Sequence, residues 1–225
     1  MSERRGGSFF GRRKGKALRP GRRRALEEVL PPLLIDAAEP PPPDLAALFP
    51  VGVDEVRLEI GFGGGEHLLH QARAFPRAGF IGVEPFESGM AKVAAAIGDE
   101  AIRNVRLFRE DATILLDWLP PESLAGIDLL FPDPWPKKRH WKRRFVNAAN
   151  LDRVVRGLRP GAAFRFATDV ADYAEWTREE VAKHGRLRLA SESSEPWDDW
   201  PGTRYEAKAQ RAGRAARYLT FRKAR

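Results

Sequence analysis

The chain has 225 residues, of which 43% are hydrophobic, and its formal net charge is +8. It contains no cysteine, which excludes disulfides and thiolate metal sites, and its four histidines form no metal-binding motif. No apolar run approaches the ~20 residues that span a bilayer, and charges stand where a signal peptide would be hydrophobic. We therefore expect one α/β domain in a cytoplasmic protein, with no metal and no membrane segment.

The positive charge is concentrated at the start of the chain. Residues 1–24 contain ten Lys or Arg and one Glu, whereas the remainder carries 29 basic and 30 acidic residues. An Arg-rich segment with several glycines is typical of an arm that is mobile alone and orders on a phosphate backbone. A solubilising or targeting tail is the alternative, but further basic clusters at 137–144 and 208–225 favour nucleic-acid binding.

A connector follows the arm. A short helical pattern at 26–30 precedes four consecutive prolines at 40–43, which predict a stiff segment. We therefore expect a basic arm with a proline-rich connector at residues 1–53 and one ordered domain at residues 54–225.

Strand and helix patterns alternate along this domain. In chain order they predict a strand at 56–60, a helix at 65–75, a strand at 80–83, a helix at 87–97, strands at 105–108 and 127–131 around a short helix at 113–118, a helix at 145–157, a strand at 163–167 and a helix at 171–184. Two later β-like runs, 186–190 and 216–222, are expected to pair as an antiparallel edge. The series predicts a mostly parallel, seven-stranded sheet with helices on both faces. His67 and His70, on the first helix of the domain, are expected to be solvated.

A glycine-rich turn, Glu59-Ile-Gly61-Phe-Gly63-Gly-Gly65, follows the first strand of the domain. Glycines let the backbone approach a ligand closely, although a tight strand-to-helix connection would also produce them. A dinucleotide fingerprint would need a glycine at position 66, which is Glu. The spacing Glu-x-Gly-x-Gly-x-Gly instead resembles the first motif of class I S-adenosylmethionine methyltransferases, which implies that the loop accommodates the amino-acid part and the ribose of that cofactor.

Acidic residues end or follow the first three strands of the domain. Glu84 lies 19 residues past Gly65, directly after a strand, where a carboxylate can accept both ribose hydroxyl protons. Glu59 could organise the glycine turn. Asp111 lies where class I enzymes contact adenine, and capping the next helix is its alternative role. Because these acids are in register on consecutive strands, together they predict an adenosyl cofactor.

The segment 131–144 combines a carboxylate with prolines, tryptophans and cations in the sequence Phe-Pro-Asp-Pro-Trp-Pro-Lys-Lys-Arg-His-Trp-Lys-Arg-Arg. It follows an apolar strand, so Asp133 is expected at the carboxyl edge of the sheet, where ligands bind in open α/β folds. The prolines restrict φ, and the cations suit a polyanion. Asp133 is the leading catalytic candidate and Lys137 the preferred phosphate contact. An Asp that only organises the proline turn is the alternative.

Three motifs together resemble the bacterial tRNA (guanine-N7-)-methyltransferase family: residues 59–65, Pro-Asp-Pro-Trp-Pro-Lys-Lys-Arg-His at 132–140, and Ala-Thr-Asp at 167–169. Residues 203–206 resemble the family's Thr-x-x-Glu substrate motif. The resemblance covers most of the chain from Val56 onward. It implies a Rossmann-like class I methyltransferase domain, S-adenosylmethionine as the cofactor, and N7 of a guanosine in the variable loop of tRNA as the methyl acceptor.

The resemblance also implies roles for single residues. The cofactor or catalytic positions are Glu59, Gly61, Gly63, Gly65, Glu84, Asp111 and Asp133, and the substrate positions are Lys137, Asp169, Thr203, Arg204, Tyr205 and Glu206. For Asp169, a helix cap is the alternative. Family members often carry a second histidine where this chain has Trp141, so His140 and Trp141 receive no chemical role beyond RNA contact.

Guanine N7 has an in-plane lone pair and no proton, so its methylation needs alignment rather than a general base. A carboxylate such as Asp133 could hold the guanine donors or favour the redistribution of charge. Two other functions stay open: a methyltransferase for another RNA or base atom, and a non-catalytic basic RNA-binding protein on a methyltransferase scaffold. The intact glycines and acids of residues 59–84 argue against the second. The sequence is compatible with a monomer and with a homodimer.

Overall fold

A single seven-stranded sheet organises the protein. The computed structural model describes residues 11, 13, 15 and 17–224, so residues 1–10, 12, 14 and 16 of the arm at 1–24, which is expected to be mobile alone, lie outside the described part. The strands lie in the order β3-β2-β1-β4-β5-β7-β6. They are β1 Glu55–Ile60, β2 Ala78–Val83, β3 Val105–Phe108, β4 Leu124–Leu130, β5 Leu158–Thr168, β6 Leu187–Ser193 and β7 Arg217–Lys223. The first five pair in parallel, and β7 runs antiparallel to both β5 and β6. This topology confirms the predicted sheet.

Helices cover both faces of the sheet. Within the described residues they are α1 Pro20–Arg24, α2 Glu66–Ala74, α3 Glu87–Glu100, α4 Ala112–Trp118, α5 Ala148–Gly157, α6 Ala171–His184 and α7 Arg204–Arg211. Successive strand residues alternate between the faces. Phe80 and Leu107 share a core cluster with α2 and α3, whereas Ile81 and Phe108 share another with α4, α5 and α6. No helix in the described part combines the length and the apolar character that a membrane crossing requires.

Hydrogen bonds and backbone angles explain three differences between the predicted and the observed elements. Helix α5 begins at Ala148 instead of residue 145, because Asn147 Oδ1 accepts the N–H of Asn150 at 3.1 Å and caps the helix. Strand β4 ends one residue early, since Phe131 has a φ of 49° and leaves the extended conformation. Helix α7 is absent from the predicted elements, and its N-cap is Thr203.

The connector at residues 25–53 packs onto the sheet. Leu30 and Leu33 are buried in the cluster that contains α3, and Leu45 and Phe49 are buried in the cluster on the opposite face. The division of the chain at residue 54 stays a prediction. The packing shows that the connector contributes side chains to the same hydrophobic core as the strands.

Candidate active site

A cavity of about 670 Å³ opens where the first four strands end. Because β1 to β4 are parallel, their carboxyl ends lie at the same end of the sheet. The turns that follow these four strands therefore all reach the cavity. Seven of the predicted site residues line it: Gly61, Gly63, Glu84, Asp111, Asp133, Arg204 and Tyr205. The structure therefore brings the glycine turn, three acids and part of the Thr-x-x-Glu segment into one space.

The glycine turn forms one wall of the cavity. Gly61 has a φ of 72°, and a Cβ atom there would project into open space, so bare backbone faces the cavity. Gly63 lies against Tyr205, because a Cβ at position 63 would be 3.0 Å from the ring. Gly65 does not line the cavity and has a packing role, since a Cβ there would overlap Val93 of α3.

Glu84 fastens this turn to β2. Its Oε2 accepts the N–H of Gly63 at 2.8 Å, and its Oε1 accepts the N–H of Phe86 at 2.9 Å. Only 9% of the residue is exposed. Burial raises the pKa of Glu84 and the charge of Asp133 adds to this, although the two backbone hydrogen bonds and Arg204 oppose it. Each carboxylate oxygen keeps a second lone pair with which it can accept a ligand hydroxyl.

Glu59 lies behind the turn and does not line the cavity. Its Oε2 is 2.7 Å from Nδ1 of His67, and both residues are buried. The expectation that His67 is solvated is therefore wrong. Burial disfavours a charged His67, but the carboxylates of Glu59 and Asp128 together outweigh this and raise the pKa of His67. Arg165 contacts the other side of the ring, with 3.2 Å between Nη2 and Nε2, and also pairs with Asp128 and Asp199. This buried network fits a loop-organising role for Glu59.

Asp111 has the capping role that the sequence left open, and its contact with adenine stays a prediction. Its Oδ1 accepts the N–H of Thr113 at 2.8 Å and the hydroxyl of the same residue at 2.7 Å, which caps α4. It also lines the cavity. Capping therefore holds this carboxylate at the cavity wall.

Four predicted substrate residues lie outside the cavity lining: Thr203 and Glu206, which belong to α7 and its cap, and Lys137 and Asp169, which do not. Lys137 is exposed and precedes the 3₁₀ turn Lys138–Arg143. Asp169 does not cap α6, whose N-cap is Val170, and its Oδ2 accepts a hydrogen bond from Arg214 Nε at 2.7 Å. Both can contact only a ligand that extends beyond the cavity, as a polynucleotide does.

Thr203 and Glu206 shape the first turn of α7. The Thr203 hydroxyl accepts the N–H of Glu206 at 3.1 Å, and the buried Glu206 carboxylate accepts hydrogen bonds from Trp200 Nε1 and the Tyr218 hydroxyl. These contacts present Arg204 and Tyr205 to the cavity, with the Arg204 guanidinium 4.9 Å from the centre of the Tyr205 ring. Thr203 and Glu206 thus hold the helix turn that carries Arg204 and Tyr205.

Asp133 is exposed on a turn with a strained backbone. The φ angles of Phe131 and Trp135 are 49° and 45°, in the left-handed region that bulky residues avoid. The N–H of Phe131 donates to Ala167 O at 2.8 Å, and its ring lies 6.2 Å from that of Trp200. Such strain costs about 1–3 kcal/mol per residue and is typical of functional sites, where the surroundings enforce it.

The cations that follow this turn differ in their environment. Lys142 and Arg143 line the cavity, and Arg143 lies over the ring of Trp135 at 4.9 Å. Arg144 also lines the cavity, but its side chain has no exposed area and its Nε donates to Pro134 O at 2.9 Å, so it is not an RNA-facing charge. No local signal distinguishes Arg144 from the arginine before it, which is why sequence reasoning missed its structural role.

Comparisons with known proteins agree with this geometry. A family described as "Putative methyltransferase" matches residues 54–219. The tRNA (guanine-N(7)-)-methyltransferase of Brucella melitensis is 57% identical over 219 residues, which cover 96% of this chain and 94% of that protein. The enzyme of the same name from Rhizobium meliloti is 53% identical over 232 residues, with complete coverage of both chains. The chain belongs to the tRNA (guanine-N7)-methyltransferase family. As in methyltransferases of this class, its cofactor is S-adenosylmethionine.

Solved structures share the methyltransferase fold. The 16S rRNA methyltransferase KamB superposes with a TM-score of 0.59 at 21% identity, over 77% of this chain and 89% of that chain. Phosphoethanolamine N-methyltransferase 2 of Haemonchus contortus, in complex with S-adenosyl-L-methionine, gives a TM-score of 0.52 at 14% identity, over 78% and 50% of the two chains. At these identities the similarity extends to the fold alone.

The cavity of this methyltransferase fits S-adenosylmethionine. Its volume is in the range of small-molecule sites. The side-chain-free backbone of Gly61 leaves room for a ligand, and the buried Glu84 carboxylate offers acceptors for hydroxyl groups. Among residues 11, 13, 15 and 17–224, no cluster of three or more His, Cys, Asp or Glu side chains is arranged to hold a metal ion.

Proposed function

We propose that this protein methylates N7 of a guanosine in the variable loop of tRNA. One observation carries the proposal: the cavity that fits the cofactor is also bordered by Asp133 and by the cations Lys142, Arg143 and Arg204. Cations at the mouth of a cofactor cavity suit an acceptor that carries a phosphate backbone. Because tRNA is the acceptor, we place the protein in the cytoplasm.

Some of the predicted cofactor residues line the cavity wall, and others support that wall from behind. Glu84 accepts the ribose hydroxyls, Asp111 contacts the adenine side, and Gly61 and Gly63 give the ligand room. Glu59 and Gly65 act from behind the wall, because their contacts are with His67 and Val93. When bound, S-adenosylmethionine supplies an electrophilic methyl group on a sulfonium centre.

Asp133 is the residue we assign to the acceptor. Guanine N7 needs no deprotonation, so the task of the protein is to align the base and to tolerate the positive charge that it gains. The exposed Asp133 carboxylate faces the same cavity as Glu84, and its charge is close enough to influence the pKa of Glu84. A carboxylate at this place can hold the guanine N–H donors and stabilise a cationic purine.

The tRNA backbone is bound around this point. Lys137 and the 3₁₀ turn that follows it provide exposed cations, and Arg204 and Tyr205 provide a cation and a stacking surface at the cavity wall. Asp169 acts on tRNA binding indirectly, because its ion pair with Arg214 holds that guanidinium in place. Thr203 and Glu206 hold the first turn of α7 in place.

The product of methylation tests this function against its alternatives. The protein is incubated with a radiolabelled methyl donor and bulk unmodified tRNA, and the labelled nucleosides are separated. We expect 7-methylguanosine. Label in a different nucleoside, or only in another RNA, would indicate a different acceptor. Binding of tRNA without any methyl transfer would indicate a non-catalytic RNA-binding protein.

A further inference from the structure

A buried arginine lies directly behind the Asp133 turn. Arg144 is 1% exposed. Its guanidinium carbon lies 4.4 Å from the ring centre of Trp141, 4.7 Å from that of Tyr173 and 5.5 Å from that of Trp176. A planar cation enclosed by three aromatic rings is restricted in orientation, so its N–H groups have fixed directions.

These N–H groups connect the Asp133 turn to helix α6. Nε donates to Pro134 O at 2.9 Å, whereas Nη2 donates to Asp172 Oδ2 at 3.0 Å and Nη1 to Asp172 O at 3.3 Å. Asp172 is in the first turn of α6. The guanidinium is therefore a rigid link between the turn after β4 and the helix after β5.

The Asp133 turn needs such a link because it has few hydrogen-bonding groups of its own. Residues 132, 134 and 136 are prolines and have no N–H. The carbonyl is the only backbone hydrogen-bonding group of Pro134, so fixing it fixes the peptide plane between Pro134 and Trp135, directly after the residue that follows Asp133. The residues at both ends of the turn, Phe131 and Trp135, have positive φ and would relax if nothing opposed it.

A phosphate-binding role does not suit Arg144. Lys138, Arg139 and Lys142 on the preceding 3₁₀ turn are exposed, whereas the Arg144 side chain has no exposed area. All three of its guanidinium nitrogens already donate to protein oxygens. An arginine in these surroundings acts on the structure around it rather than on the solvent.

We propose that Arg144 is a positioning residue for Asp133. By holding Pro134 O, the enclosed guanidinium sets the direction of the Asp133 carboxylate and so affects methyl transfer without touching either substrate. The proposal rests on the role of Asp133 in the proposed function. Misplacement of a reacting group by about 1 Å can lower a rate by about 100-fold, so a small shift of the turn is enough to be measured.

The first test is Arg144→Lys, which keeps the charge but cannot reach Pro134 and Asp172 with one planar group. We expect the single-turnover rate to fall about 10- to 100-fold, while the KM values for S-adenosylmethionine and tRNA change by less than about threefold. The matched control is Arg153→Lys in α5. It removes a bidentate ion pair with Asp117 at the surface and should leave the rate unchanged. A normal rate in Arg144→Lys, or a loss confined to tRNA affinity, would overturn the proposal.

The second test asks whether the effect passes through Asp133. In an Asp133→Ala background, Arg144→Lys should cause almost no further loss of rate, because the group that it positions is gone. An undiminished further loss would show a general structural role. If Arg144→Lys does not fold, Asp172→Asn supplies the same comparison at a half-exposed site, with a smaller loss. Absence of 7-methylguanosine from the wild-type reaction would instead contradict the proposed function itself.

Discussion

The glycine turn after β1 and the proline turn after β4 follow neighbouring, paired strands but are held in place in opposite ways. In the glycine turn the backbone supplies the donor, since the N–H of Gly63 binds the Glu84 carboxylate. In the proline turn, Pro132 and Pro134 have no N–H, and the Pro134 carbonyl is bound by the side chain of Arg144. One turn is therefore held by an acid that accepts its backbone N–H, and the other by a cation that donates to its backbone carbonyl.

This difference separates the two halves of the site. The cofactor side is held by contacts between the turns that follow two adjacent strands. Glu84 both binds the glycine turn and is a candidate ligand of the cofactor. The acceptor side depends on α6 and on the aromatic residues Trp141, Tyr173 and Trp176. Substitutions on the first side are therefore expected to change cofactor binding, and those on the second side to change the rate of transfer.

The largest effect is expected from Asp133→Ala. It removes the carboxylate at the acceptor side, and the loss of one preorganised electrostatic group typically lowers turnover by about 100- to 1000-fold. The affinities for tRNA and S-adenosylmethionine should change little, as measured by filter binding and calorimetry. Asp133→Asn controls for side-chain shape and should also be slow. Near-normal turnover in Asp133→Ala would remove the catalytic assignment.

Glu84→Ala should act on the other half of the comparison. It removes the proposed ribose acceptor and leaves the N–H groups of Gly63 and Phe86 without their partner. We expect cofactor affinity to weaken by about 1.5–3 kcal/mol, or roughly 10- to 150-fold. Titration calorimetry measures this directly. Unaltered affinity would contradict the ribose role.

The raised pKa of Glu84 also predicts a pH dependence. A carboxylate accepts both ribose hydroxyls only when it is ionised, so cofactor affinity should fall as the pH is lowered toward this pKa. The stability of the fold should change with pH in the opposite direction to cofactor affinity. Because the pKa of Glu84 is raised in the folded protein, its stabilising contribution is present below the unfolded pKa and is lost as the pH rises through the folded pKa. Calorimetry from about pH 8 to about pH 5 checks the affinity, and Glu84→Gln should show a flatter profile. An equal slope in both proteins would exclude Glu84 as the titrating group.

Gly65→Ala tests whether packing behind the glycine turn is as important as its open face. A Cβ there would overlap Val93 in a residue whose φ is 75°, so we expect a loss of about 1–3 kcal/mol in the free energy of unfolding. Gly213→Ala is the control, since Gly213 also has a positive φ but a Cβ there would meet open space. Denaturant titrations of both variants separate steric overlap from backbone strain. Equal losses would show that Val93 is not the reason for Gly65.

The smallest effect is expected from removal of residues 1–16, which contain six of the ten Lys and Arg residues of the arm. Fewer released counterions should weaken tRNA binding and flatten its dependence on salt concentration. A full-length protein in which those six cations are replaced by Gln serves as the control for chain length. An unchanged salt slope in both would show that the arm does not contact the RNA.

The fold was largely predictable because its signals are local. The alternation of apolar runs and turns indicated the parallel sheet, and the glycine and proline turns marked the edge where the cavity lies. Two features were not predictable in this way. Burial of His67 depends on Glu59 and Arg165, and burial of Arg144 depends on α6, which lies almost thirty residues later in the chain. Helix α7 had a local signal that was interpreted only as a substrate motif, because Thr-x-x-Glu at 203–206 is also a capping pattern and Thr203 is the N-cap.

A crystal structure with S-adenosylhomocysteine and guanosine bound is the most direct test of the account. We predict the ribose hydroxyls on Glu84, the sulfur directed toward the Asp133 turn, and the purine between the sulfur and the Asp133 carboxylate with N7 facing the sulfur. A cofactor product bound away from this turn, or a purine held without Asp133 nearby, would contradict the central claim that this carboxylate aligns the acceptor for methyl transfer.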